Sequence, residues 1–126
     1  MARTISTDKA PRAIGPYSQA IVANKFLFVS GQIPIDPITG KIEQTDIRGQ
    51  ARQVLENLKA VVEAEGLTLN NVVKANVMIT DMNYFPAVNE IYGEYFTGSD
   101  LPTRVVTAVV ALPKQSLIEI DAIAAC

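Results

Sequence analysis

Apolar and polar positions along the chain alternate in short runs and fall into two longer helical stripes. Ala20 to Ala23 and the run FLFVSGQIP after Asn24-Lys25 predict a β-hairpin, with Asn-Lys as its turn. DPITGK at 36–41 predicts a further turn, in which Pro37 and Gly40 supply the special dihedrals. From Ile47 to Glu65 the apolar residues stand at 47, 51, 54, 55, 58, 61 and 62, the stripe of an amphipathic helix. Thr45 or Asp46 can cap it, and Gly66 can end it.

VVKANVMIT at 72–80 puts Val73, Ala75, Val77 and Ile79 on one face and Lys74, Asn76, Met78 and Thr80 on the other, a strand half-facing a core. A second helix is predicted from Phe85 to Phe96, with Phe85, Val88, Tyr92, Tyr95 and Phe96 on one side and Pro86 in the first turn. Strands at 103–112 and 116–125 close the chain, joined by Pro113-Lys114-Gln115. The order ββαβαββ predicts one α+β domain over 1–126, with a mixed sheet and two helices packed on one of its faces.

The strand at 104–112 is apolar on both sides: Val105, Thr107, Val109 and Ala111 on one, Val106, Ala108, Val110 and Leu112 on the other. Two helices cover only one face of such a sheet. The second apolar face calls for another subunit, so a homo-oligomer is expected.

Composition narrows the chemistry. With 48% hydrophobic and 19% charged residues the chain reads as a packed globule. Net charge is −2 and the cations are scattered, so no nucleic-acid partner is expected. No signal-like apolar core or membrane-length stretch is present, which makes a membrane partner unexpected and the cytoplasm the expected location. The chain has no histidine, and its single cysteine is the last residue, Cys126. Ser-His-Asp and Cys-His nucleophiles and histidine-based metal sites are thereby excluded. Chemistry must rest on carboxylates, arginine, lysine, tyrosine, hydroxyls and the backbone.

Two charges stand out against that background. Arg104 opens the apolar run PTRVVTAVVALP, and Glu119 lies inside LIEIDAIAA. Both are costly to desolvate unless they meet a partner or a ligand. If the last two strands form a hairpin, Glu119 lies near Ala111 and Arg104 is not its direct neighbour. Alternation aims Glu119 and Asp121 away from the helices, toward the face assigned to another subunit. Periodicity alone favours an intersubunit salt bridge over catalysis for these groups. Tyr17 follows the stiff Gly15-Pro16 turn, and Ser30-Gly31 interrupts an apolar strand, which marks either a bulge or a close backbone approach. Asn89 lies on the second helix. Taken alone, Tyr17 reads as a packing residue, Asn89 as solvated helix surface, and Ser30-Gly31 equally as a packing accommodation.

Taken together, IGPYSQA, FVSGQIPIDPITG, VVKANVMITDM, FPAVNEIYGEYF and the block PTR…ALP…IEIDAIA resemble the reactive intermediate deaminase family (RidA, formerly YjgF) from Thr7 to Ala124. The resemblance implies a chorismate-mutase-like α+β fold and a homotrimer whose sheets form a central barrel, with active sites between subunits. It also implies hydrolysis of 2-imino acids, tautomers of the enamines released by PLP-dependent dehydratases, to 2-keto acids and ammonia without a cofactor. On that basis Arg104 grips the substrate carboxylate and Glu119 holds and activates water. Tyr17, Ser30, Gly31 and Asn89 then line the pocket, with Tyr17 supplied by the neighbouring subunit. Many members carry a cysteine where this chain has Val106, and charged residues at the positions of Ala108 and Ala111. With water as nucleophile, Val106 should reshape the substrate pocket and leave activity intact. A second reading keeps the same intersubunit cleft but makes it a non-catalytic keto-acid-binding regulatory or scaffold trimer.

Overall fold

A computed structural model describes residues 2–126 of the chain. Its strands are β1 (Arg3–Ile5), β2 (Ala20–Ala23), β3 (Phe26–Gln32), β4 (Val72–Ile79), β5 (Thr103–Ala108) and β6 (Ile118–Ala125), and its helices are α1 (Ile47–Ala64) and α2 (Phe85–Tyr95). The six strands form one mixed sheet in the order β1-β2-β3-β6-β4-β5. The α+β arrangement is the one that the pattern predicts. The strand β1 was not expected from the sequence, since three residues of an exposed terminal run carry too little alternation to register.

The hairpin of β2 and β3 turns on Asn24 and Lys25, both at positive φ (48° and 66°). Left-handed values at both central residues match the right-handed twist of the flanking strands, so this turn closes even without glycine. On α1, Ala51, Val54, Leu55, Leu58, Val61 and Val62 are fully buried. Asp46 is its N-cap residue but makes no side-chain capping bond, and Gly66 terminates the chain's helical course at φ 81°. Val88, Ile91 and Tyr92 of α2 join the same core, which is closed from the sheet side by Leu27, Val29, Ala75, Val77, Ile79, Ile118 and Ile120.

The last two strands do not form a hairpin, and here the expectation is corrected. β5 pairs in parallel with β4, while β6 runs antiparallel between β3 and β4. Parallel pairing needs a crossover, which α2 supplies. β5 ends at Ala108, four residues before the predicted end, and the following segment passes across the end of β4. Two backbone bonds pin that passage: Val109 N–H donates to the Ile79 carbonyl (2.8 Å) and Thr80 N–H to the Leu117 carbonyl (3.1 Å). Burial explains the placement. In β6 every second residue is buried, as suits a central strand, whereas β5 is exposed at all positions but Val106 and belongs at an edge. Glu119 consequently faces Met78, not Ala111, and Arg104 pairs with Ala75.

The face of the sheet away from the helices leaves Phe26, Phe28 and Val105 exposed at 41–52% of their area, and Val73, expected on the core side with Ala75, is instead exposed at a register slip while Val72 takes the buried place. No helix of the described chain is long and apolar enough to cross a membrane.

Candidate functional site

Ser30 and Gly31 sit where β3 slips register against β6: pairing resumes at Gln32 after breaking at Val29. The bulge turns this stretch toward Glu119. A β-carbon added at Gly31 would overlap the Glu119 carboxylate, so the carboxylate rests on bare backbone that only glycine leaves accessible. Both sequence readings of this glycine, bulge and close approach, therefore hold at once. Ser30 is itself anchored, its hydroxyl donating to the Ser18 carbonyl at 2.6 Å and its N–H to the Gln19 carbonyl at 3.0 Å.

Ile14, Tyr17, Ser30, Gly31, Ile33, Pro113 and Glu119 line one open cavity of about 440 Å³. Its walls come from three loops that the fold ties down with buried amides. Gln19 takes the Thr7 N–H on its Oε1 at 2.7 Å and donates through Nε2 to the Thr7 and Pro11 carbonyls, clasping the N-terminal arm. Asn57 of α1 donates to the carbonyls of Ile33 and Ile35 (3.1 and 2.9 Å). Gln50, also on α1, accepts from the Leu117 N–H at 2.8 Å. These anchors went unnoticed in the sequence. The seven-residue spacing of Gln50 and Asn57 places both on the apolar side of α1, and polar residues on such a stripe are the signal that could have found them.

Glu119 is half-buried on the face away from the helices. Burial raises its proton affinity above the ordinary carboxylate range, and the like charge of Asp121 adds to the rise. Asp121 accepts a hydrogen bond from Asn76 at 2.8 Å, across β4 and β6.

Arg104 lies elsewhere. It shares the helix-side face of the sheet with its partner Ala75, and its Nη1 donates to Asn89 Oδ1 of α2 at 2.8 Å. Its guanidinium carbon lies 4.8 Å from the Tyr92 ring centre and 5.5 Å from that of Phe85. Val106, two residues on, shares this face and packs half-buried against the core. The position of α2 is set partly by a ladder with α1: Arg48–Glu90, Arg52–Glu94 and the Tyr95 hydroxyl on Glu56. Each exposed pair contributes little to stability, but together they set the register of the two helices.

The candidate residues thus form two groups, Tyr17, Ser30, Gly31 and Glu119 in one, Arg104, Asn89 and Val106 in the other. They do not meet within one chain.

A family model described as endoribonuclease L-PSP matches residues 7–126. The chain belongs to that family. Among its relatives, a RutC family protein of Pyrococcus horikoshii is 57% identical over 98% of both chains. A mouse protein named 2-iminobutanoate/2-iminopropanoate deaminase is 48% identical over 97% of this chain and 90% of its own. The crystal structure of the Rid-family protein YyfA from Yersinia pestis superposes with a TM-score of 0.97 at 48% identity, each chain covered in full. The L-PSP family assignment and the Rid-type fold bear out the resemblance read from the sequence motifs.

Proposed function

We propose that this protein hydrolyses short 2-imino acids, of the 2-iminopropanoate and 2-iminobutanoate class, to 2-keto acids and ammonia. Its site is completed between two copies of the chain in a homotrimer. The observation that carries the reading is the split of an anion-binding group around Arg104 from a carboxylate pocket around Glu119, in a close relative of a protein named for that deaminase activity. One group offers what a substrate carboxylate needs, a planar guanidinium capable of two parallel hydrogen bonds. The other offers a carboxylate of raised basicity in a partly apolar cavity. The exposed apolar residues on the Glu119 side of the sheet form the surface that a second copy would cover.

The reaction follows from these parts. Arg104 and Asn89 hold the substrate carboxylate, while Val106 shapes the wall beside it. Water held by Glu119 adds to the imine carbon. The new C–O bond forms as the C=N π electrons move onto nitrogen, and Glu119 takes the proton that water loses. Glu119 then returns a proton to nitrogen. The hydroxyl proton of this carbinolamine next passes by way of Glu119 to nitrogen, the C–N bond breaks as the oxygen electrons form the carbonyl, and ammonia leaves. The raised proton affinity of Glu119 suits a group that must accept and give back a proton in one turnover. Tyr17, Ser30 and the Gly31 backbone line the pocket in which this occurs. No cofactor enters the scheme.

The family description names RNA cleavage. This chain has no histidine and a net charge of −2, and neither group of residues clusters cations, so an imine substrate is the better match. The test generates 2-aminoacrylate from serine with a dehydratase and follows pyruvate release with and without the protein, beside a parallel incubation with single-stranded RNA. Accelerated release that disappears in Arg104→Ala supports the proposal. Binding of 2-ketobutyrate without acceleration would replace it with the non-catalytic reading, and RNA cleavage alone would remove it.

A further inference from the structure

Arg104 stands on an edge strand and is exposed, a setting in which a long side chain samples many rotamers and loses binding energy when it is ordered. Three groups hold it. Asn89 takes one N–H at one end of the guanidinium, and the rings of Tyr92 and Phe85 lie against it. The two rings differ in rigidity. Phe85 is only partly buried, whereas Tyr92 is 7% exposed and stacks on Phe96, with ring centres 4.4 Å apart and planes inclined by 26°. The Tyr92 hydroxyl is buried and has no hydrogen-bond partner among the described residues. A group so enclosed does not reach a ligand, and leaving it unpaired is a cost to folding. What the position supplies is therefore the ring face.

We infer that Tyr92 is a positioning residue. Its ring, wedged between Phe96 and Arg104, fixes the plane of the guanidinium so that the N–H groups not given to Asn89 face outward together for a carboxylate. A cation held on a ring face is stabilised by the ring quadrupole and loses little freedom when it binds. This inference rests on the imine-hydrolase reading for its substrate, but the platform has a readout of its own.

The experiment compares wild type with Tyr92→Phe, Tyr92→Leu and Phe96→Leu. Three properties are measured: the Arg104 Nε–H proton shift by NMR, 2-ketobutyrate binding by calorimetry, and KM and kcat in the dehydratase-coupled assay. Tyr92→Leu is expected to reduce the ring-current shift of Arg104 to the part that Phe85 supplies and to raise Kd and KM about threefold to tenfold, with a much smaller change in kcat. Tyr92→Phe keeps the platform, so the shift and KM return to wild-type values while Tm rises. Phe96→Leu lowers Tm without moving KM, because it removes core packing and not the face under Arg104.

An undiminished ring-current shift in Tyr92→Leu overturns the inference. So does a KM rise in Tyr92→Phe equal to that in Tyr92→Leu, which would assign the role to the hydroxyl, or an equal rise in Phe96→Leu, which would assign it to stability. Wild-type protein that neither binds 2-ketobutyrate nor accelerates release removes the functional reading, and the NMR comparison still decides the platform.

Discussion

Arg104 and Glu119 stand on opposite faces of one sheet: the guanidinium lies against Tyr92 on the helix side, and the carboxylate rests on the Gly31 backbone on the other. Register makes this unavoidable. Arg104 pairs with Ala75 and Glu119 with Met78, and Ala75 and Met78 are three residues apart on β4, so they point to opposite sides. No rotamer change brings the two charges together through a sheet. If both act on one substrate, each comes from a different copy of the chain.

Complementation between inactive variants follows directly. Arg104→Ala should lower activity by about 10- to 100-fold through loss of charge-assisted hydrogen bonds. Glu119→Gln should lower it by about 100-fold or more through loss of the proton acceptor. Co-expressed in equal amounts, the two chains should regain activity, because in randomly mixed closed rings about a quarter of sites combine an intact Arg104 with an intact Glu119. Mixed oligomers that form, as seen by native mass spectrometry, yet stay inactive would contradict the split site.

Gly31→Ala tests the close approach. The added methyl group must displace the Glu119 carboxylate or the bulge, at a folding cost of about 1–3 kcal/mol. Activity should fall nearly as far as in Glu119→Gln, while the Arg104 group keeps its affinity for 2-ketobutyrate. Activity within about twofold of wild type would mean that the carboxylate does not work from this position.

The raised proton affinity of Glu119 carries a sign for stability. Folding favours its protonated form, so its stabilising contribution is complete below the unfolded carboxylate pKa of about 4.3 and is lost as pH rises through the higher folded value. Glu119→Gln should therefore melt higher than wild type at neutral pH, and the gain should vanish in acid. In activity, the acidic limb should lie above the ordinary carboxylate range, and Asp121→Asn, which removes the like charge, should shift it downward. Thermal scans and pH–rate profiles measure both, and equal melting at neutral pH would argue against a desolvated Glu119.

The buried amide anchors are predicted to matter more than their distance from the chemistry suggests. Asn57→Ala leaves the Ile33 and Ile35 carbonyls without their donor and should cost about 1–3 kcal/mol of stability. Gln19→Ala frees the arm that carries Tyr17, and protease sensitivity should rise between residues 7 and 17. Unchanged denaturant midpoints in both variants would show that the amides do not hold these loops.

Much of this was readable in residue order. The α1 stripe, the Asn24-Lys25 turn and the alternation of β4 and β6 are local, and local sterics and periodicity decide them. Glu119 and Asp121 were correctly aimed away from the helices because alternation in β6 alone determines that. The motif run from IGPYSQA to IEIDAIA led to the family through residue identity, without any knowledge of contacts. Tyr92 illustrates the limit: it was legible as part of a buried stripe, but its contact with Arg104 joins residues twelve apart on different elements.

By itself, the sequence determined the two helices and the strands other than β1, the buried alternation of β6, and which few groups can carry chemistry in a chain without histidine. Strand order lay beyond it. The short Pro113-Gln115 connection looks like a hairpin turn, yet the chain crosses β4 there, because the alternately buried β6 gains more in the middle of the sheet than at its edge. That choice is a global competition for burial, and no local run records it. It decides which residues stand beside each charge, Ala75 across from Arg104 and Met78 across from Glu119.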